Sequence, residues 1–399
     1  MKRDALGERL LDGLAHLCAL VGLAYAARAA TIARGWLRVP VVATLPDAPA
    51  LSVVVPARDE ARSIERCVRS LLAQTIEDLE LIVVDDRSAD ETPAILERLA
   101  REDRRLRVVR GAALPEGWVG KPWALAQGAR AARGEWLLFT DADTWHAPEA
   151  CSSTLAFALA RGADALSLAT YQELGTAAER AVLPAILGMI LIACGPMDAL
   201  NDPSLPEHAL ANGQYLLVSR QAYDALGGHE ALRDALVEDV EFARRIKGDG
   251  RYRLLLAGGE ELVRVRMYRS LHEIWDGFTK NMFAAAHGDL RALAGAAVVL
   301  SALSVVPAGL ALDAAARRRP VRACEALLCL ATGMAVAARG FRFTRLPLRL
   351  AWWAPVGYAF CGAVVLNSTL RVLSGRGVEW RGRRYTGRFG DVGKSSPHA

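Results

Sequence analysis

The run Trp136-Leu-Leu-Phe139 passes through Thr140 straight into Asp141-Ala-Asp143, and this junction constrains the fold more than any other stretch. Four apolar residues in succession, without polar alternation, predict a strand buried on both faces, as in a parallel sheet. Carboxylates at the carboxyl end of such a strand stand where open α/β sheets bind ligands. At i and i+2 both reach one crevice and can share a divalent cation. Hard cations such as Mg2+ and Mn2+ take oxygen ligands and often complete their shell with substrate phosphates. A solvated turn can carry the same triplet, so the reading depends on the rest of the chain.

The 399 residues are 52% hydrophobic, with a net charge of +5 and seven cysteines. A mean hydropathy of +0.17 is apolar for a soluble protein. Arginines flanking apolar stretches carry most of the positive excess, the pattern that marks the cytoplasmic edges of membrane proteins. No basic face with interleaved aromatics points to nucleic acid. The scattered cysteines show no zinc spacing and are expected to be reduced thiols.

Residues 10–28 form an apolar stretch near the length that crosses a bilayer, followed by Arg28, Arg34 and Arg38. The basic residues lie on the wrong side for a cleaved signal peptide. Asp12 and His16 interrupt the stretch, and an interfacial helix is the alternative. From 50 to 285 short apolar runs alternate with helical patterns: strands at 51–56, 79–86, 106–110 and 135–140, helices at 61–74 and 91–105. Such alternation implies a mostly parallel sheet with right-handed crossovers. Three further apolar blocks, 290–312, 322–338 and 348–373, are each near spanning length. They are separated by two basic loops, which cannot both be cytoplasmic if all three blocks span; one block is expected to be re-entrant or interfacial. The segment 182–197 is either a core helix or an amphipathic helix on a membrane surface. The expected organisation is a membrane helix with a basic flank over 1–38, an α/β unit over 39–287, a membrane region of two or three helices over 288–375 and a basic cytoplasmic tail over 376–399.

Two more acidic pairs join the triplet. Asp85 and Asp86 end a strand and precede a Ser/Thr-rich turn, where a carboxylate accepts from a base N–H or from ribose hydroxyls. Glu238 and Asp239 open an amphipathic helix, where acidic groups also simply complement the helix dipole.

VVPARDEA (54–61), VVDDRSADET (83–92), GWVGKPWALAQG (117–128), TDAD (140–143) and VEDVEFARRIK (237–247) occur in the order seen in inverting family 2 glycosyltransferases. The chain resembles that family over 50–285, and GWVGKPWA resembles its membrane-bound branch of ceramide glucosyltransferase-like and carotenoid- or hopanoid-associated bacterial enzymes. The resemblance implies a GT-A fold: a Rossmann-like, mixed and mostly parallel sheet, here with N- and C-terminal transmembrane helices. It implies that Pro56, Arg58 and Glu60 form the nucleotide-binding turn, and that Asp85 and Asp86 hold uracil and ribose. The chain has Arg58-Asp59 where the family commonly has Tyr-Asn, a departure at the uracil contact. Lys121 matches a basic position near the diphosphate, its alternative being a solvated loop lysine. Asp141 and Asp143 match the metal motif, with Asp143 the direct ligand, and Asp239, after Glu238, matches the catalytic base. Gly213 and Gln214 fall in the segment that lines the sugar and acceptor, although an ordinary loop and strand explain them equally well. The family's Gln/Arg-x-x-Arg-Trp motif is incomplete: Arg266 and Arg269 are present, but Ser270 replaces Trp. Those arginines clamp the donor or contact lipid headgroups.

The implied activity is metal-dependent transfer of a hexose from a UDP-sugar to a lipid hydroxyl by a multi-pass membrane protein with a cytoplasmic active site. The cofactor is a divalent cation, Mn2+ or Mg2+. A phosphate acceptor, already ionised near neutral pH, needs no base, so the Glu238-Asp239 pair favours a hydroxyl over a polyprenyl phosphate. A processive polysaccharide synthase and a non-catalytic sugar-nucleotide sensor are the remaining alternatives.

Overall fold

Val53, Val54 and Val55 are fully buried at the centre of a seven-stranded sheet. Burying each such side chain contributes about 1.5–3 kcal/mol. In chain order the strands of the computed structural model are β1 (Leu51–Ala57), β2 (Leu79–Asp85), β3 (Leu106–Arg110), β4 (Trp136–Phe139), β5 (Thr144–His146), β6 (Ala165–Ala169), β7 (Tyr171–Gln172), β8 (Leu216–Ser219), β9 (Leu254–Gly258) and β10 (Val263–Val265). The large sheet runs β3-β2-β1-β4-β8-β6-β9, and β5-β10-β7 form a small second sheet. Strands β1 to β4 are mutually parallel, β8 is antiparallel to β4 and β6, and β9 is parallel to β6. The mixed, mostly parallel sheet is therefore the one expected. The structure describes residues 2–286, 289–374, 376, 378–380 and 383–385.

The expected strands and helices of the first half are present within a few residues. Helices Ile64–Leu72, Thr92–Glu102 and Gly120–Ala131 make the connections between the parallel strands. The first of them buries Ile64, Cys67, Val68 and Leu71, the spacing of an apolar stripe. Pro56 lies past Val54, the last residue of β1 that β4 pairs. Its missing N–H therefore costs no ladder bond on that side.

The chain divides into two compact units. One comprises Arg34–Glu173 and Cys194–Met267 and contains both sheets; the other comprises Met1–Ala33, Leu174–Ala193 and Tyr268–Ala399. The α/β unit is thus interrupted within the span 39–287. Residues 174–193 separate from it because they form the apolar helix Ala177–Cys194.

Among its described residues the helical unit contains five helices long and apolar enough to cross a membrane: Leu6–Ile32, Ala177–Cys194, Leu290–Ala316, Pro320–Thr344 and Leu348–Leu373. The third breaks between Leu290–Ala302 and Val305–Ala316, and the fifth opens with a 3-10 turn over Leu348–Trp353. Asp12, which interrupts the first apolar stretch, accepts from Arg322 at 2.8 Å. The Arg322 side chain is fully buried and also meets Glu8 at 2.6 Å and Asp313 at 2.5 Å. One guanidinium thus ties the start of the first long helix to the ends of two others, and the acidic residue has a structural reason to sit in an apolar helix. His16 likewise meets Glu325 at 2.6 Å. In the basic tail, Arg383 and Arg384 fall in a short strand paired with Val378–Trp380, while Arg381 and Arg388 lie outside the described residues.

Candidate active site

Two turns at the carboxyl edge of the large sheet are stitched into one surface. After β1, the N–H groups of Asp59, Glu60 and Ala61 donate to Ser88 Oγ, Thr92 Oγ1 and Asp90 Oδ2 at 2.9, 2.8 and 3.0 Å. In return Ala89 N–H donates to Asp59 Oδ1 at 2.7 Å. Asp59 and Arg87 both take positive φ, 53° and 60°. Non-glycine residues in that region are uncommon and cluster at functional sites. Asp85 Oδ1 accepts from Ser88 N–H at 3.1 Å, and Asp86 N–H donates to Ala57 O at 2.8 Å. Arg58 lies beside Asp86, with Nη1 3.7 Å from its carboxylate. The Ser/Thr-rich turn is therefore a clamp that fixes Pro56 to Glu60 against Asp85 and Asp86.

A pocket opens beyond β4, lined by Lys121, Asp141, Gly213, His229, Glu238 and Asp239 among others. Three elements meet there: β4 ends shortly before Asp141, helix Gly120–Ala131 opens with Lys121 in its first turn, and helix Glu238–Asp249 opens at Glu238. Lys121 Nζ stands 2.7 Å from Asp141 Oδ1 and 2.7 Å from Glu238 Oε1. Burial opposes the lysine's charge, but Asp141, Glu238 and Asp239 outweigh it and hold its pKa well above the ordinary value. Asp239 faces the other way electrostatically. Burial and then the neighbouring Glu238 charge raise its pKa from 3.8 to about 6, against the opposing pull of Lys121 and of two backbone N–H groups. One of those is Gly213 N–H, which donates to Asp239 Oδ2 at 2.7 Å. A Cβ at Gly213 would stand 2.8 Å from Lys121 Nζ and 3.2 Å from Asp239 Oδ2. Glycine is required by close approach, since any larger residue pushes into the charged cluster.

Beneath the acidic triplet runs a buried polar layer. Thr140 Oγ1 donates to Gln214 O at 2.7 Å and lies 3.0 Å from Thr144 Oγ1 and 3.2 Å from His146 Nε2. Thr144 Oγ1 donates to Asp141 O at 2.7 Å. Burial depresses the His146 pKa to about 3, so the ring is neutral. Gln214 is buried, and its side-chain oxygen accepts from Thr170 Oγ1, from Gln172 Nε2 at 3.2 Å and from Asn212 Nδ2 at 3.2 Å. That oxygen is committed to the fold.

A family model described as Glycosyl transferase family 2 matches residues 52–186, the stretch that carries the stitched turns and the acidic triplet. The chain carries a glycosyl transferase family 2 domain in that stretch. Its sheet, with antiparallel β8 beside β4, is of the GT-A type that the resemblance implied. A 4,4'-diaponeurosporenoate glycosyltransferase of Staphylococcus aureus (strain USA300) is 26% identical over 344 residues, covering 84% of this chain and 88% of that protein. The putative glycosyltransferase EpsH of Bacillus subtilis (strain 168) is 36% identical over 109 residues, 27% of this chain. That match spans 30% of EpsH, and a match to EpsJ of the same organism spans 27% of that protein. Among solved structures, the mannosyltransferase PcManGT from Pyrobaculum calidifontis, in complex with GDP-Man and Mn2+, is 19% identical, covers 91% of this chain and 99% of its own, and has a TM-score of 0.47.

Within the sheet-bearing unit the structure gathers Lys121, Asp141, Gly213, Glu238 and Asp239 around one pocket. It places Pro56, Arg58, Glu60, Asp85 and Asp86 at the stitched turns. Asp143 follows in the same loop as Asp141, where its carbonyl accepts from Arg266 N–H at 3.3 Å. Arg269 belongs to the helical unit, where its N–H donates to Glu273 at 2.7 Å. Among the described residues no group of three or more His, Cys, Asp or Glu stands together as a ready metal site.

Sequence reasoning missed Ser88, Thr140, Thr144, His146 and His229. Thr140 and Thr144 flank the acidic triplet, and polar residues at a strand's end were a usable signal. His229 had none. It stacks edge-on to Phe139 at 4.6 Å, with Nδ1 3.0 Å from Tyr223 Oη, and burial lowers its pKa to about 4.

Proposed function

We propose that this chain transfers a hexosyl group from a UDP-sugar to the hydroxyl of a lipid, with inversion at the anomeric carbon. The observation that carries the reading is Asp239: a carboxylate in the pocket, aimed by Gly213 N–H, with a pKa raised to about 6. A base works best when its pKa approaches the operating pH. In the step proposed, the acceptor oxygen attacks the anomeric carbon from the face opposite the diphosphate. The hydroxyl proton passes to Asp239, the sugar–phosphate C–O bond breaks, and the nucleoside diphosphate leaves with the bonding electrons. One displacement with one base and no covalent intermediate inverts the centre. Lys121 binds the pocket's carboxylates together and offers positive charge toward the leaving phosphates. Asp85 and Asp86, fixed by the stitched turns, hold the base and ribose, with Arg58 against Asp86 in place of the family's aromatic residue.

Asp141 and Asp143 would hold a divalent cation by the chemistry of their oxygens, with the Lys121 ammonium, now on Asp141, moving off that carboxylate. Two carboxylates leave the shell open, to be completed by the donor's phosphate oxygens and water. Such an ion, Mn2+ or Mg2+, supplies neutralisation of the charge that develops on the leaving diphosphate.

Two observations support a lipid acceptor at a membrane. Five helices are long and apolar enough to cross a bilayer, and a relative aligned over 84% of this chain is named a diaponeurosporenoate glycosyltransferase. Nucleotide sugars are made in the cytosol, so the active site faces it.

The test is transfer of label from a panel of radiolabelled UDP- and GDP-sugars into lipid extract by the full chain in detergent. Wild type is compared with Asp143→Ala and Asp239→Asn. Labelled lipid lost in both variants supports the mechanism and names the donor. Near-normal transfer by Asp239→Asn points instead to a phosphate acceptor. No turnover with any donor sinks the reading.

A further inference from the structure

The helix Ala177–Cys194 has the length and composition of a membrane span, yet both of its ends return to one sheet. Before it, β4 and β6 are strands of the large sheet; after it, β8 and β9 are strands of the same sheet. β8 pairs with β4, Trp136 opposite Ser219, and with β6, Ala165 opposite Val218. A single crossing would put these hydrogen-bonded partners on opposite sides of the bilayer.

A crossing followed by a return has no chain to use. Upstream, Glu173 N–H still donates to Val265 O at 2.8 Å, four residues before the helix begins. Downstream, only Gly195 and Pro196 separate Cys194 from helix Met197–Asn201, whose Met197 and Leu200 are buried against Leu256 of β9. Two residues reach about 7 Å, against about 30 Å of hydrocarbon.

The helix is nevertheless built for an apolar setting. Thr176 and Glu179 cap its start reciprocally, Glu179 N–H donating to Thr176 Oγ1 at 3.2 Å and Thr176 Oγ1 to Glu179 Oε1 at 3.0 Å. Its first half buries Val182 through Ile186. Ala185 lies so close to Gly357 of helix Ala354–Leu373 that a Cβ there would be 2.4 Å away. The second half, Leu187 to Cys194, contains no polar side chain and is only partly buried, Met189 meeting Cys361 of helix Ala354–Leu373 at 3.5 Å. Such a surface is costly in water at about 25 cal/mol per Å2. It continues the apolar surface of the candidate span against which the first half packs.

We propose that helix Ala177–Cys194 does not cross the membrane but enters and leaves by one face. Its apolar second half is seated among the acyl chains of the leaflet next to the sheet-bearing unit. The inference rests on the membrane reading above and deepens it: the α/β unit holds lipid through an element inserted within its own fold, between β7 and β8.

The test uses the full chain with Cys324 replaced by serine, reconstituted in phosphatidylcholine–phosphatidylglycerol vesicles of known orientation. Ala177→Cys and Ser204→Cys variants, both at exposed positions beside the helix ends, report the two ends to a membrane-impermeant maleimide. Leu191→Cys, carrying an environment-sensitive fluorophore, reports depth by quenching with doxyl lipids. The expected result is labelling of both ends from one face, with the Leu191 probe quenched about twofold more by shallow than by deep doxyl groups. Labelling of the ends from opposite faces, or deepest quenching at the bilayer centre, overturns the proposal. So does a water-exposed, unquenched probe. Release of the whole chain from membranes by alkaline carbonate, with a Leu17→Cys probe fully reactive, would instead sink the membrane reading itself. The Leu191 probe reads depth independently, so the proposal stays testable even if one end variant fails to fold.

Discussion

Gly213 N–H donates to Asp239 Oδ2 at 2.7 Å, and the hydrogen that serves as Gly213's side chain faces Lys121 Nζ. One backbone position thereby sets the separation between Asp239 and Lys121. Adding a methyl group there forces one of the two charged groups to move. Gly213→Ala is expected to lower kcat by roughly 10-fold to 100-fold, the scale of a small misplacement of reacting groups, with little change in thermal stability. Steady-state kinetics beside a melting curve checks it; unchanged kcat would mean that the close approach has no part in the chemistry.

Asp239→Asn removes the proposed base. Transfer should fall by about 10²–10⁴-fold, while UDP binding, followed calorimetrically, stays near wild type. For the wild type, kcat/KM should rise as pH increases through about 6, where the free carboxyl gives up its proton. A profile flat from pH 5 to 8 would contradict the assignment.

The same shift has a consequence for stability. Asp239's folded pKa lies above its ordinary 3.8. Its favourable contribution is therefore complete below that value and is lost as pH rises through about 6. Asp239→Asn should accordingly be more stable than wild type at pH 7 to 8 and gain little at pH 4. Melting temperatures measured at both pH values decide it, and a gain confined to pH 4 would reverse the sign.

Lys121→Met leaves Asp141 and the buried Glu238 without their shared cation. The variant should lose nearly all transfer. Any residual activity should titrate at higher pH than wild type, because Lys121 lowers the Asp239 pKa. A pH–rate profile of Lys121→Met separates this role from simple donor contact, which would raise KM and leave the profile in place.

Arg322 ties three helices through Glu8, Asp12 and Asp313. Arg322→Met removes the only partner that all three carboxylates share and should destabilise the helical unit by about 3 kcal/mol. Replacing Asp12 alone, which is half exposed, should cost less. Thermal unfolding in detergent gives the comparison; no loss of stability in Arg322→Met would mean the cluster adds nothing to the fold.

The amino-acid sequence by itself determined the alternation of strands and helices, the parallel character of the first four strands and the strand ends that carry Asp85, Asp86, Asp141 and Asp143. Local apolar runs fix where a strand can be buried, and the first polar residue after such a run marks where it stops. The long apolar helices were legible for the same reason: length and composition are properties of a segment alone. What only the tertiary structure decided is pairing. That Lys121 bridges Asp141 to Glu238, that Gly213 N–H rather than Gln214 meets Asp239, and that Thr140, Thr144 and His146 underlie the acidic loop depend on contacts between elements far apart in the chain. The role of 177–194 was undecided for the same reason. Its composition fits a span, and only the hydrogen bonds joining β8 to β4 and β6 return both of its ends to one sheet. Periodicity reports the surroundings of a residue along its own element, whereas a partner across the fold is selected by how the elements pack.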